Sequence, residues 1–205
     1  MRYSPAAEQR GARAVQGAHS APKVPPMSVL DKIVAAVTPP ESEQARAEAN
    51  AKAWAAAEPG DFLTEALGHH KLLLAAFAAA KAAPDEASRL AAQKHLGVIL
   101  VGHAGAEETV LYPALADAGE AGHADLAYGE QVMVKMQMAA LEALPPMSQD
   151  WMDKLEHIEG AVRHHMFEEE GTWFLELKEK GKNPEKTAMR FKEEYERYVG
   201  NEAKA

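Results

Sequence analysis

The sequence predicts an all-α protein: an up-down-up-down four-helix bundle with extra N- and C-terminal helices. Three observations carry this. Ala, Leu, Glu and Lys dominate long stretches with few β-branched runs, which favours helices. Proline and glycine punctuate the chain at helix-length intervals. Apolar residues recur at alternating steps of three and four within each stretch.

The punctuation orders the elements. Residues 1–26 hold Gly, Pro, Ser and Ala without a periodic apolar face and read as a disordered segment. Residues 27–60 form an N-terminal helical appendage, broken by Pro39-Pro40 and continued by an Ala-rich helix over 41–58. Pro59-Gly60 ends that helix, and Asp61 is placed to cap the next, which runs to about Ala82. Pro84-Asp85 separates it from a helix reaching about Leu115. Gly119 and Gly122 mark a turn, and the third helix runs to about Leu144. After Pro145-Pro146, Ser148 caps a fourth helix that ends near Lys180, with Gly181 as its stop. Residues 181–205 hold a last short helix, opened by Asn183-Pro184 and carrying Phe191, Tyr195 and Tyr198, and a tail. The four helices of 61–180 are joined by short turns, which sets neighbours antiparallel. A weak internal repeat supports two related hairpins: His103, Glu107 and Leu115 recur as His165, Glu169 and Leu177.

Composition removes several function classes. With no Cys, disulfides, thiolate metal sites and Cys catalysis are excluded, and a cytoplasmic protein is expected. A net charge of −9 repels phosphate backbones, so no nucleic-acid partner is expected. No apolar run is long enough to span a bilayer, so no membrane partner is expected.

The predicted core stripes carry the chemistry. They read Leu63, Leu67, His70, Leu74, Phe77; then Leu96, Ile99, His103, Glu107, Val110; then Ala127, Gln131, Val134, Met138, Leu141; then Leu155, Ile158, Val162, His165, Glu169. Each is apolar except near one level. Burying two carboxylates beside three imidazoles calls for a cation. Residues four apart share a helix face, so each HxxxE pair can aim a nitrogen and an oxygen at one centre. Mixed imidazole and carboxylate ligation suits iron, and manganese or zinc less distinctively. His69, about a hundred degrees round from His70, is expected outside the ligand set or facing solvent. Glu108 and Glu170 are expected to face outward or to assist the ligands, His157 and His164 to lie on the surface, and Met133, Met136 and Met138 to fill the core.

These residues resemble the hemerythrin-like family, the HHE cation-binding domain. The family pattern is a His early in helix one, HxxxE in helix two, a His in helix three and HxxxE in helix four. Here it stands as His70, His103-Ala-Gly-Ala-Glu107, position 131, and His165-Met-Phe-Glu-Glu169, with Glu107-Glu-Thr-Val-Leu-Tyr-Pro113 also similar. The resemblance covers about Asp61 to Lys180. It implies a non-haem di-iron centre bridged by Glu107 and Glu169, with His70 and His103 on one iron and His165 on the other. It also implies a small ligand, O2, NO or peroxide, met in sensing, detoxification or iron handling.

The departure is Gln131 where the family has His, with Lys135 one turn on. Gln131 offers only a neutral amide oxygen, and Tyr128 is a candidate phenolate. Three arrangements follow: an asymmetric di-iron site, which this reading favours; a single iron on His70, His103 and a carboxylate; or a degenerate site. The alternative from another class is a metal-free helical interaction module. No nucleophile or substrate motif supports a hydrolase, and no reaction is assigned. The flanking helices are expected to cover bundle faces or to make a homo-oligomer contact.

Overall fold

The structure is a computed structural model, and it describes residues 41–200. The expectations for the disordered segment 1–26 and for a helix beginning at Met27 lie outside the described residues. Among those residues, every regular element is helical, in six continuous helices.

Helix α1 is Glu43–Ala56, capped by the Ser42 hydroxyl. Helix α2 is Phe62–Ala82, and the Asp61 carboxylate accepts from the Thr64 amide as expected. Helix α3 covers residues 86–117, opened by a reciprocal Asp85–Ser88 capping box. Helix α4 is Ala121–Glu142. Helix α5 covers residues 149–180 and is capped by Ser148. Helix α6 is Pro184–Val199. Gly119 turns the chain between α3 and α4 with φ near +102°. Gly122 lies inside α4 and takes no part in the turn, a correction to the expectation. Gly181 stops α5 in extended backbone; a Cβ there would strike the Leu177 carbonyl oxygen, so the position needs glycine for space.

Helices α2 to α5 form the bundle, with α2 along α3 and α4 along both α5 and the second half of α3. The stripes point inward as expected, except that Leu74 is half-buried and Leu73 takes the core place. Of the methionines, Met138 is core, whereas Met133 and Met136 are exposed, because they fall on the outer face of α4. The end of the bundle away from the polar level is tied by Arg89. Its guanidinium donates to the carbonyls of Ala83 and Pro146, one in each inter-helix turn.

The flanking helices cover bundle faces. α6 buries Ala188, Phe191, Tyr195 and Val199 against α2 and α3. It approaches α3 closely enough that a Cβ on Gly105 would lie 2.9 Å from the Tyr198 ring. α1 lays Ala49 and Ala53 against α5 and α2.

One feature was not legible in the periodicity. α3 and α5 each contain a π-helical turn, at Glu107–Leu111 and Glu169–Trp173. Tyr112 N–H donates to the Glu107 carbonyl and Phe174 N–H to the Glu169 carbonyl, five residues back. Such turns recur at functional sites, where they re-aim the side chains that follow. Both begin on the Glu of an HxxxE pair.

Candidate metal centre

The bundle brings His70, His103, Glu107, Gln131, His165 and Glu169 to one level, all buried. Within that level the atoms divide into two groups.

The first group is His70 Nε2, His103 Nε2, Glu107 Oε1 and Glu169 Oε2. Each residue offers an atom within 4.8 Å of those of the others. The α-helical step from His103 to Glu107 sets their atoms 3.1 Å apart, and His70 Nε2 lies 3.3 Å from Glu169 Oε2. All four atoms are buried without a hydrogen-bond partner. Native interiors rarely leave such groups unsatisfied, and an ion is one standard reason when they do. These four electron-pair donors, converging and unpartnered, fit a cation.

The second group gathers around a residue that the stripes did not single out, Tyr112. Its hydroxyl lies 3.1 Å from Glu107 Oε2, 3.1 Å from Glu169 Oε1 and 2.9 Å from His165 Nε2. Gln131 Nε2 donates to Glu107 Oε2 at 2.7 Å and lies 3.1 Å from the Tyr112 oxygen. Each carboxylate thus turns one oxygen to each group. Tyr112 reaches this place because of the π turn. Five α-helical residues advance about 500°, which would put it roughly 140° from Glu107; the wider turn brings them side by side.

Outer partners fix two of the imidazoles. His70 Nδ1 is 2.7 Å from Glu170 Oε1, and His165 Nδ1 is 2.7 Å from Glu130 Oε2. A carboxylate on Nδ1 holds the proton there and leaves the Nε2 lone pair facing the centre. Glu170 is therefore buried and working on His70, whereas Glu108 pairs with Lys135 at 2.6 Å. Tyr128 donates to the Glu108 carbonyl and does not join the cluster. His69 is buried, contrary to a solvent-facing place, because α6 covers it: Tyr195 stacks on it at 3.6 Å. His157 is exposed, and His164 is partly exposed and bonded to Glu41.

The protonation pattern follows from burial and crowding. Burial, then the neighbouring Glu169 charge, pushes the Glu107 carboxyl well above its usual range. Burial would raise Glu169 too, but His165 and His70 outweigh it and hold the group well below the carboxylate range. Without a cation, burial works against a charge on His70, yet the Glu169 carboxylate facing Nε2 and the Glu170 bond on Nδ1 raise it to about 9, a proton that a cation would displace from Nε2. Burial, then the His70 charge, keeps His103 neutral, with one ring nitrogen's lone pair available. Burial and both carboxylates keep the Tyr112 phenol protonated. Without a cation, one of two facing carboxylates is driven towards its neutral form.

Fold and site together define a helical bundle with a buried His and Glu set suited to a cation. The sequence model described as the Hemerythrin HHE cation binding domain matches residues 62–177, more than half of the chain, and the protein belongs to that family. No curated protein and no solved structure matches the chain. Among the described residues, no helix is long and apolar enough to cross a membrane.

Proposed function

We propose that the chain holds an asymmetric pair of iron ions and meets a small oxidant there, O2, NO or peroxide. The carrying observation is the convergence of four buried, unpartnered donor atoms on His70, His103, Glu107 and Glu169. These residues would hold the first ion. His165, Tyr112 and the remaining oxygens of Glu107 and Glu169 would hold the second, with Gln131 steadying Glu107 through its amide nitrogen. Iron in such a set supplies redox capacity and Lewis acidity towards a small ligand.

The chain's own residues shape what reaches the centre. Phe174 stacks against His70 at 6.1 Å, and Leu63 and Leu67 fill the same helix stripe, so bulk water is kept out. Glu170 and Glu130 fix the tautomers of His70 and His165. Without a second ion, Tyr112 keeps its proton beside both carboxylates, and it would give that proton up to hold the second ion. The second half of the centre has one imidazole, because Gln131 stands where a His would complete it, so it binds the weaker ion. That asymmetry favours sensing, detoxification or iron handling over simple reversible O2 carriage.

A mononuclear centre on the first group is the second reading. It is favoured by the hydrogen bonds around Tyr112, which satisfy the second group without a cation.

His103→Ala and Glu107→Ala test the proposal. Each removes a donor of the first ion, and Glu107 also serves the second. Both variants should lose most bound iron on anaerobic reconstitution. Unchanged iron per chain in both would sink the assignment.

A further inference from the structure

Helix α1 lies outside the residues matched to the family, yet it reaches the centre. Ala49 packs 3.7 Å from where a Cβ on Gly171 would stand, so α1 rests directly on the π turn that carries Glu169 and Glu170. Lys52 donates to the Gly171 carbonyl at 3.3 Å. Asn50 donates from Nδ2 to Glu170 Oε2 at 3.0 Å, while the other oxygen of Glu170 holds His70 Nδ1 at 2.7 Å. The line runs from Asn50 through Glu170 to His70, from an appended helix to a donor of the first ion.

Glu170 needs that grip because of where it stands. Asn50, Glu170 and His70 line a cleft of about 250 Å³ beneath α1, together with Arg46, Lys71 and Arg163. Glu170 is itself buried there, while Arg46 and Arg163 pair with Glu41, Glu43 and Glu159, and Lys71 lies over the Trp54 ring. The two Glu170 oxygens are held by Asn50 Nδ2 and His70 Nδ1. Without the Asn50 amide, a buried carboxylate oxygen would lose its partner and Glu170 could turn away from His70.

We propose that Asn50 on α1 is a positioning residue of the metal centre, holding Glu170 so that Glu170 holds the His70 imidazole. The inference rests on the metal-centre reading above. Removing a partner directly bonded to a ligating His typically weakens metal binding by about 10–100-fold. Asn50 acts one bond further out, so Asn50→Ala should weaken the tighter ferrous equivalent by about tenfold, at the lower end of that range. Asn50→Asp should weaken it at least as much, since two carboxylates would then face each other.

The test is anaerobic competition of ferrous ion against a chelator, paired with hydrogen exchange at the His70 Nδ1–H in the zinc-loaded protein. Both Asn50 variants should bind iron more weakly and exchange that proton faster. Gln44→Ala, which alters an exposed contact of α1 with Glu48, should match wild type in both. Lys52→Ala loosens α1 without touching Glu170 and should also stay near wild type. Weakening by Lys52→Ala equal to that by Asn50→Ala would make the effect one of helix docking and overturn the proposal. So would Asn50 variants that match wild type. A folded wild type that binds no iron would instead defeat the metal-centre reading, and this inference with it.

Discussion

Tyr112→Phe isolates the hydroxyl at the middle of the cluster. The ring is fully buried among the bundle's core residues, and Phe keeps its volume and apolar contacts, so the packing term changes little. What is lost is an oxygen within 3.1 Å of two carboxylates, 2.9 Å from His165 and 3.1 Å from Gln131. A hydrogen bond to a charged group contributes about 1.5–3 kcal/mol, and a buried acceptor left without its partner costs a similar amount. Gln131 still donates to Glu107 Oε2, so the loss falls mainly on Glu169 and His165. The metal-free variant should therefore be about 2–3 kcal/mol less stable than metal-free wild type in urea unfolding. In the iron-loaded protein, the variant should lose the weaker equivalent and any visible phenolate-to-ferric absorption, and keep the tighter one. A metal-free stability within about 0.5 kcal/mol of wild type, the usual spread for an inconsequential substitution, would refute the reasoning. So would retention of both iron equivalents at unchanged affinity.

Two further predictions concern neighbours of the same level. Gln131→His should tighten the weaker iron equivalent and shift the optical spectrum, because it adds an imidazole beside Glu107 and His165; an unchanged titration would mean that position 131 contributes nothing to the second ion. His69 makes the metal-free protein acid-sensitive. Burial, and secondarily the charge on His70, lowers its folded pKa from 6.5 to about 3. Between those values the unfolded chain takes up a proton that the folded chain refuses. The contribution is therefore intact above about pH 6.5 and declines as pH falls towards 3. His69→Phe, which keeps a ring against Tyr195, should flatten that limb of the stability profile. Parallel profiles for the two proteins would contradict a lowered folded pKa at His69.

Helices and stripes were legible because burial here follows the α-helical period. Asp61 and Ser148 announce their helix starts, and His103 with Glu107 share a face through nothing more than a four-residue step. Tyr112 was visible only as part of a motif, since a π turn shifts it round the helix and periodicity assumes α geometry. Glu130 and Asn50 were missed as supports, and Glu170 was left between facing outward and assisting a ligand, because their partners lie 35, 120 and 100 positions away in sequence. His69 looked peripheral because α6, which buries it, packs there through tertiary contacts that no local pattern encodes. Gln131 was placed correctly on its stripe, but its amide nitrogen faces Glu107, which makes it a donor to the carboxylate in this arrangement.

The most direct test of the central claim is an anaerobic ferrous titration of metal-free protein, read as iron retained per folded chain against a competing chelator. The account predicts one tightly held equivalent, from the four unpartnered donors, followed by a weaker one. A chain that stays folded and retains no iron would contradict it, and would leave the buried His and Glu residues as a hydrogen-bonded core of a metal-free bundle.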